Sequence, residues 1–297
     1  MILVVGLSAV WQRTLFFDKV QPGEVNRATR VLETASGKGV NVGRVATILG
    51  APARVLTVAG GGRGGAFARA LRADGVSARL VPVRGETRVC QTLVGGGVVT
   101  ELVEEAAELR PAEVAAVLAA FAEELRRAKM LVLSGTVPRG CGDDFCARLA
   151  QQAQRRGVPV VVDTQRAQLL GVVRERPVLV KVNRSELATA TGKRTVVGGV
   201  GELMRLGAGR VVISHGAQAA VAFDGRERWS VQPPRVAAVN PIGSGDAMLA
   251  GMVVKLMRGA TLKTALRFGV ACGAANALTE TSGVVRPADV ARLLRRS

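Results

Sequence analysis

Asn240-Pro241-Ile242-Gly243-Ser244-Gly245-Asp246-Ala247-Met248 carries more chemistry than any other segment of this 297-residue chain. Glycines at 243 and 245 let consecutive backbone N–H groups converge at the start of a helix whose apolar pattern runs to Arg258. Free N–H groups and the positive end of the helix dipole make such a start an anion hole. Asp246 falls in the first turn, with its carboxylate directed at the same place. A carboxylate weakens a site that only holds phosphate. It belongs there if it takes the proton of a hydroxyl attacking a phosphoryl group. The ordinary alternative is an aspartate that offsets the helix dipole.

Far upstream, Ala35-Ser36-Gly37-Lys38-Gly39-Val40-Asn41-Val42 opens a second helix with small residues. Lys38 can bring a point charge to a phosphate, and Asn41 can both donate to and accept from hydroxyls. The ordinary alternative is a plain helix start with an exposed lysine. A third glycine run, Gly60-Gly61-Gly62-Arg63-Gly64-Gly65, satisfies G-x-G-x-x-G between a strand and a helix, with Glu86 further on. In a run this rich in glycine any such pattern matches, so the dinucleotide signal is weak. No G-x-x-x-x-G-K-[ST] occurs, which excludes a P-loop.

Between these segments, strands alternate with helices. Strands are expected at 2–7, 54–59, 130–134, 159–163, 178–182, 210–214 and 219–224. Helices are expected at 39–49, 65–73, 111–128, 143–156, 245–258, 262–279 and 287–295. That alternation predicts an α/β fold with a mostly parallel sheet covered on both faces, and ligands at the carboxyl ends of its strands. Residues 13–18, and a hairpin of 87–94 and 98–103 around Gly95-Gly96-Gly97, have no helix to pair with. They read as a small β-sheet serving as a flap over the ligand. The expectation is a single domain over 1–297, with lid strands from about 8–30 and 86–104.

Lys and Arg number 41 against 23 Asp and Glu, a net charge of +18. The basic residues are scattered along the chain, aromatics make up 3% and Tyr is absent, so platforms for stacking bases are poorly supplied. A nucleic-acid partner is therefore not expected. No apolar run nears the roughly 20 residues of a membrane span, so no membrane partner is expected either. The first residues run straight into a strand without a basic leader, and the four cysteines form no C-x-x-C pair. Buried free thiols in a reducing cytoplasm are the expectation. His215, the one histidine, excludes a Cys/His zinc site and is expected to serve local packing.

Together, Gly37-Lys38-Gly39-Val40-Asn41-Val42 and Gly243-Ser244-Gly245-Asp246 resemble the two signatures of the ribokinase-like, PfkB-type carbohydrate kinases. Five further segments follow in order: Gly23-Glu24-Val25-Asn26-Arg27, Gly85-Glu86-Thr87-Arg88, Thr100-Glu101-Leu102, Ser134-Gly135-Thr136-Val137-Pro138, and Lys181-Val182-Asn183-Arg184-Ser185-Glu186-Leu187. They resemble the 1-phosphofructokinase and tagatose-6-phosphate kinase branch. The resemblance implies a three-layer ribokinase-like fold with a β lid, a homodimer formed through the lids, and ATP with Mg²⁺. It implies that Asp246 is the catalytic base and that Gly243, Ser244 and Gly245 form the anion hole. Gly37, Lys38, Asn41, Arg88 and Thr136 then fall in the sugar-phosphate site. Asn183 and Glu186 organise the Mg–ATP phosphates, Glu186 reaching the metal through water, and Ser214, Gly216 and Asn276 lie in the nucleotide region.

Four features depart from the family pattern, one of them the absence of a Gly-Pro after the lid hairpin, near Glu104-Glu105. Ser244 stands where alanine is usual, and Lys181-Val182-Asn183 replaces Lys-Pro-Asn. Leu7-Ser8-Ala9-Val10-Trp11-Gln12 replaces Leu-Asn-Pro-Ala-x-Asp, so Gln12 occupies the place of an acid that grips sugar hydroxyls. The implied activity is an ATP-dependent sugar or sugar-phosphate kinase. A kinase for unphosphorylated sugars or nucleosides, and a regulator that binds without turnover, are the alternatives.

Overall fold

The computed structural model describes residues 1–296. Chain order runs β1 (Ile2–Val5), β2 (Val10–Phe16), β3 (Arg30–Ser36), α1 (Lys38–Ile48), β4 (Ala53–Gly60), α2 (Gly61–Ala73), β5 (Ala78–Val83), β6 (Arg88–Gly95), β7 (Val98–Val103) and α3 (Pro111–Leu125). It continues with β8 (Met130–Ser134), α4 (Phe145–Gln154), β9 (Val160–Asp163), α5 (Arg166–Val173), β10 (Leu179–Asn183), α6 (Arg184–Thr191) and α7 (Val196–Leu206). The last elements are β11 (Val211–His215), β12 (Gln218–Phe223), β13 (Arg228–Val231), α8 (Ser244–Met257), α9 (Leu262–Ala277) and α10 (Pro287–Leu294).

Nine strands form one sheet in the order β13-β12-β11-β10-β9-β8-β1-β4-β5. Every pairing from β5 across to β11 is parallel; β12 runs the other way, and β13, antiparallel to β12, returns to the direction of the rest. The central strands are continuous apolar runs, such as Ile2-Leu3-Val4-Val5, because helices cover both faces. The two faces appear as two cores. One packs α1, α8 and α9 around Val42, Leu249 and Leu266. The other packs α3, α4 and α5 around Phe121, Leu149 and Leu169.

A separate four-stranded sheet, β3-β2-β6-β7, stands apart from the main one. The sequence places its strands within about 8–30 and 86–104. The second range holds, but the first misses β3, whose seven residues carry two charges and no clean alternation. Strand β2 also starts three residues earlier than expected. The sequence pattern also misses β5, which contains Pro82 and lies at the sheet edge where proline is tolerated. It misses the short edge strand β13 and the helices α5, α6 and α7. In α7, Gly198, Gly199 and Gly201 disguise the helical period. All four cysteines are free and buried, and burial pushes the thiols of Cys146 and Cys272 up to about 12.

Candidate active site

Strands β8, β9, β10 and β11 end side by side in Ser134, Asp163, Asn183 and His215. Ser134 is in register with Asp163, and Asn183 with Ser214. The N-termini of α1 and α8 point at the same edge, and one face of the small sheet looks down on it. A cavity of about 970 Å³ lies between them.

Asp246 sits in the first turn of α8 and is almost wholly buried. Burial pushes its carboxyl up to about 6, while the Lys38 ammonium pulls the other way. Asn41 donates an Nδ2–H···Oδ2 bond of 2.8 Å to it. The Asn41 amide is held by Ser36, whose Oγ lies 3.0 Å from Asn41 Oδ1. Gly243 takes φ +82°, a conformation side chains resist, so the chain can turn into α8 against Gly283. Lys181 Nζ lies over Gly245, where an added Cβ would come within 2.9 Å of it. Gly243, Ser244 and Gly245 all line the cavity.

Lys38 projects from the start of α1 into the same space. Its Nζ lies 3.3 Å from Asp163 Oδ1 and 3.6 Å from Glu186 Oε1. The Asp163 charge raises the Lys38 pKa above its ordinary value. Asp163 is fully buried, with Lys181 Nζ 3.0 Å from its other oxygen. Burial alone would push that carboxyl up, but the two ammonium groups outweigh it and hold it below the usual range. The Lys38–Asp163–Lys181 chain was not found in the sequence. The available signal was an acid ending the all-apolar strand Val160-Val161-Val162 at the carboxyl edge of a parallel sheet.

Asn183 and Glu186 both line the cavity and form a capping box on α6. Asn183 Oδ1 accepts from the Glu186 N–H at 2.8 Å, and Glu186 Oε2 accepts from the Asn183 N–H at 2.8 Å. Glu186 keeps its other oxygen toward Lys38. Ser214 and Gly216 line the cavity, and so does His215, which the sequence reading gave to local packing. Asn276 does not line it. Its amide is buried behind the α8 turn, donating to Ile242 O at 2.9 Å and accepting from Gly283 N at 2.8 Å. The expectation that Asn276 faces nucleotide is therefore corrected: it ties the residue 242–244 turn to the loop at 283.

On the small sheet, Gln12 of β2, Arg88 of β6 and Glu101 of β7 line the cavity. Gln12 is buried and donates from Nε2 to Thr92 Oγ1 at 2.9 Å. Arg88 donates from Nη1 to Glu104 O at 2.6 Å, while its buried Nε has no hydrogen-bond partner among the described residues. Below them, Thr136 donates to Ser8 Oγ at 3.0 Å. Gly37 lies with φ +116° against Ser8 O. The G-x-G-x-x-G run takes no part. Glu86 caps α2, accepting from the Gly62 N–H at 2.6 Å, so the chain's own carboxylate fills the place of a pyrophosphate.

A sequence model described as pfkB family carbohydrate kinase matches residues 1–288. Phosphofructokinase-2 from Escherichia coli, solved in complex with fructose-6-phosphate, is 27% identical with a TM-score of 0.88, covering 99% of this chain and 98% of that one. A putative phosphofructokinase from Staphylococcus aureus is 25% identical with a TM-score of 0.81, covering 99% and 97%. A possible 1-phosphofructokinase from Thermotoga maritima shares the fold at 22% identity and a TM-score of 0.90, covering 99% and 97%. With a buried carboxylate at a glycine-lined helix start and a family match over nearly its whole length, this chain belongs to the pfkB family of carbohydrate kinases, phosphotransferases that act on a sugar hydroxyl.

Proposed function

We propose that this kinase moves the γ-phosphoryl group of ATP onto a hydroxyl of a sugar that already carries a phosphate, as a 1-phosphofructokinase does. The observation that carries this reading is Arg88. Glu101 on the same wall lies within electrostatic reach of Arg88, yet the buried Nε–H of that guanidinium has no hydrogen-bond partner among the described residues, which is costly unless an acceptor on the ligand meets it. Lys38 is a weaker candidate for that phosphate, because Asp163 and Glu186 already engage its ammonium.

In this reading Asp246 accepts the proton of the attacking hydroxyl, and Asn41 holds the carboxylate in place. The amides of Gly243, Ser244 and Gly245 receive the charge that develops on the phosphoryl oxygens. Lys38 and Lys181 flank the same point with positive charge. Thr136 and Gln12 contact the sugar. Asn183, Glu186, Ser214 and Gly216 border the nucleotide, while Asn276 acts from behind by fixing the turn.

Mg²⁺ takes one or two carboxylates and keeps several waters. Glu186 supplies one such carboxylate on the cavity wall beside Lys38, whereas Asp163 is fully buried with an ammonium on each oxygen. No group of three or more His, Cys, Asp and Glu side chains suited to a metal occurs among the described residues. Glu186 thus fits a sparsely held Mg²⁺ that it would reach through water, and the ion would offset phosphate charge.

The small sheet serves as the lid in this reading. Its outward face carries exposed Val31, Val98 and Leu102, which supports pairing with a second copy. The deciding experiment measures ATP consumption, with product identification, across sugars, sugar phosphates and nucleosides. Turnover confined to phosphorylated acceptors is expected. Equal or faster turnover of unphosphorylated sugars or nucleosides would replace this reading.

A further inference from the structure

The positive charge that looks scattered along the chain is gathered in space on the edge of the main sheet opposite the cavity. Helices α3, α4, α5 and α7 end there, and β8, β9, β10 and β11, which lie next to one another in the sheet, begin there. The connecting loops touch. Leu131 N donates to Pro159 O at 2.9 Å, Val178 N to Val160 O at 2.9 Å, Gly209 N to Pro177 O at 2.9 Å and Val180 N to Arg210 O at 2.8 Å.

These loops carry Arg126, Arg127, Lys129, Arg155, Arg156, Arg174, Arg176 and Arg210, all exposed. None of the eight side chains has an ion-pair or hydrogen-bond partner among the described residues. Of the acids nearby, Glu123 pairs with Arg79, Glu124 with Arg54 and Glu202 with Arg205, while Glu175, bonded to the neutral Gln151 amide, and Asp224, within electrostatic reach of Arg210, leave the eight cations in clear excess. Cations at helix C-termini ordinarily offset the helix dipole, an effect confined to the last turn. Arg126, Arg155 and Arg174 are the residues that close α3, α4 and α5 and fill that role. Arg127, Lys129, Arg156, Arg176 and Arg210 lie beyond it. With neighbouring strands about 4.8 Å apart, the four loops span roughly 15 Å.

We propose that this rim binds the phosphate backbone of a duplex nucleic acid without reading its sequence. Dense arginine and lysine on a protein edge suits a partner with closely spaced phosphates. A duplex is favoured over a single strand because it hides its bases, and these loops offer no exposed aromatic for a base to stack on. A duplex is favoured over a membrane because the exposed large apolar residues, Val25, Val31, Val98, Leu102, Val103, Val197 and Val239, all lie outside these loops. The rim lies outside the catalytic cavity, so the proposal stands independently of the sugar assignment.

The test is fluorescence anisotropy of the full chain with a labelled mixed-sequence 30-base-pair duplex, from 50 to 200 mM salt. Micromolar binding that weakens at least tenfold over this range is expected. R127E/R156E/R176E/R210E should weaken binding at least tenfold at 50 mM salt and flatten the salt dependence. R69E/R84E/K193E/R194E, which lowers the net charge equally at exposed positions elsewhere, should stay within twofold of the parent. Unchanged kinase turnover of the rim variant shows that it folds. If it does not fold, R127Q/R156Q/R176Q/R210Q takes its place, with at least a threefold loss expected. Equal losses in both charge-reduced variants would overturn the proposal, as would absence of duplex binding. So would tighter binding of a single strand of the same length, or rim-dependent binding of phosphatidylserine vesicles without binding of duplex.

Discussion

The amide of Asn41, one turn into α1, donates a 2.8 Å hydrogen bond to the buried carboxylate of Asp246, one turn into α8. Two helix starts more than 200 residues apart thus meet at a single oxygen. Asp246→Asn should keep this contact and nucleotide binding while lowering kcat by roughly 10²–10⁴, the usual worth of a positioned base. Steady-state kinetics with ATP and the best acceptor check it. Near-parental turnover would remove Asp246 from the chemistry.

The raised carboxyl gives that residue a second signature. A base must be ionised to accept a proton, so the rate should climb as pH rises through about 6. Stability runs the other way. Because folding raises the pKa from 3.8 to about 6, the folded state holds more protons between those values and loses stability as pH rises through them. Asp246→Asn should therefore be more stable than the parent at pH 8, by on the order of 3 kcal/mol, and no more stable at pH 3.5. Urea denaturation at both pH values measures this; an equal difference at the two would refute it.

Arg88→Ala separates substrate classes. Losing a charge-assisted hydrogen bond costs about 1.5–3 kcal/mol. KM for a phosphorylated sugar should rise roughly tenfold to a hundredfold, and KM for its unphosphorylated analogue far less. Parallel increases on both would show that the arginine meets no acceptor phosphate.

Gln12 commits its Nε2 to Thr92, and its carbonyl oxygen accepts no hydrogen bond from the described residues. Gln12→Asp should shift the preference among sugar phosphates by at least about 1 kcal/mol, roughly fivefold in kcat/KM, leaving the ATP parameters unchanged. A ranking that survives the substitution would take Gln12 out of sugar recognition.

Lys181→Met removes a partner from the fully buried Asp163, leaving only Lys38 to face it. A loss on the order of 3 kcal/mol at pH 7.5 is expected. Asp163→Asn in the same chain should recover part of it, because no buried charge then lacks its counterion. Denaturation of the single and double variants decides; additive losses would mean that the two side chains are not coupled.

The parts of the site that are local in sequence were readable from sequence. Residues 37–41 and 243–246 each combine a glycine turn, a helix start and a polar side chain that lines the cavity within a few positions. What could not be read depends on neighbours that only the sheet supplies. Asp163 looks like any strand end until β9 is set beside β10 and α1 brings Lys38 over it. Asn276 has the right residue type in the right region, but its amide points at the 242–244 turn rather than into the cavity. The main sheet was legible because its central strands are uniformly apolar. β3 was not, because a strand open to solvent on one face and bordering a cavity on the other has no apolar code to follow.

Gly37 is the single residue between the end of β3 and the first residue of α1. The small sheet and α1 are thus arms of one lever, with the fulcrum pressed against the Ser8 carbonyl. A displacement of β3 toward a guest in the cavity would reach Asn41, and through its hydrogen bond Asp246, along five residues of chain and without crossing the main sheet. Under the proposed chemistry, seating of the acceptor and setting of the base would then be, mechanically, one event.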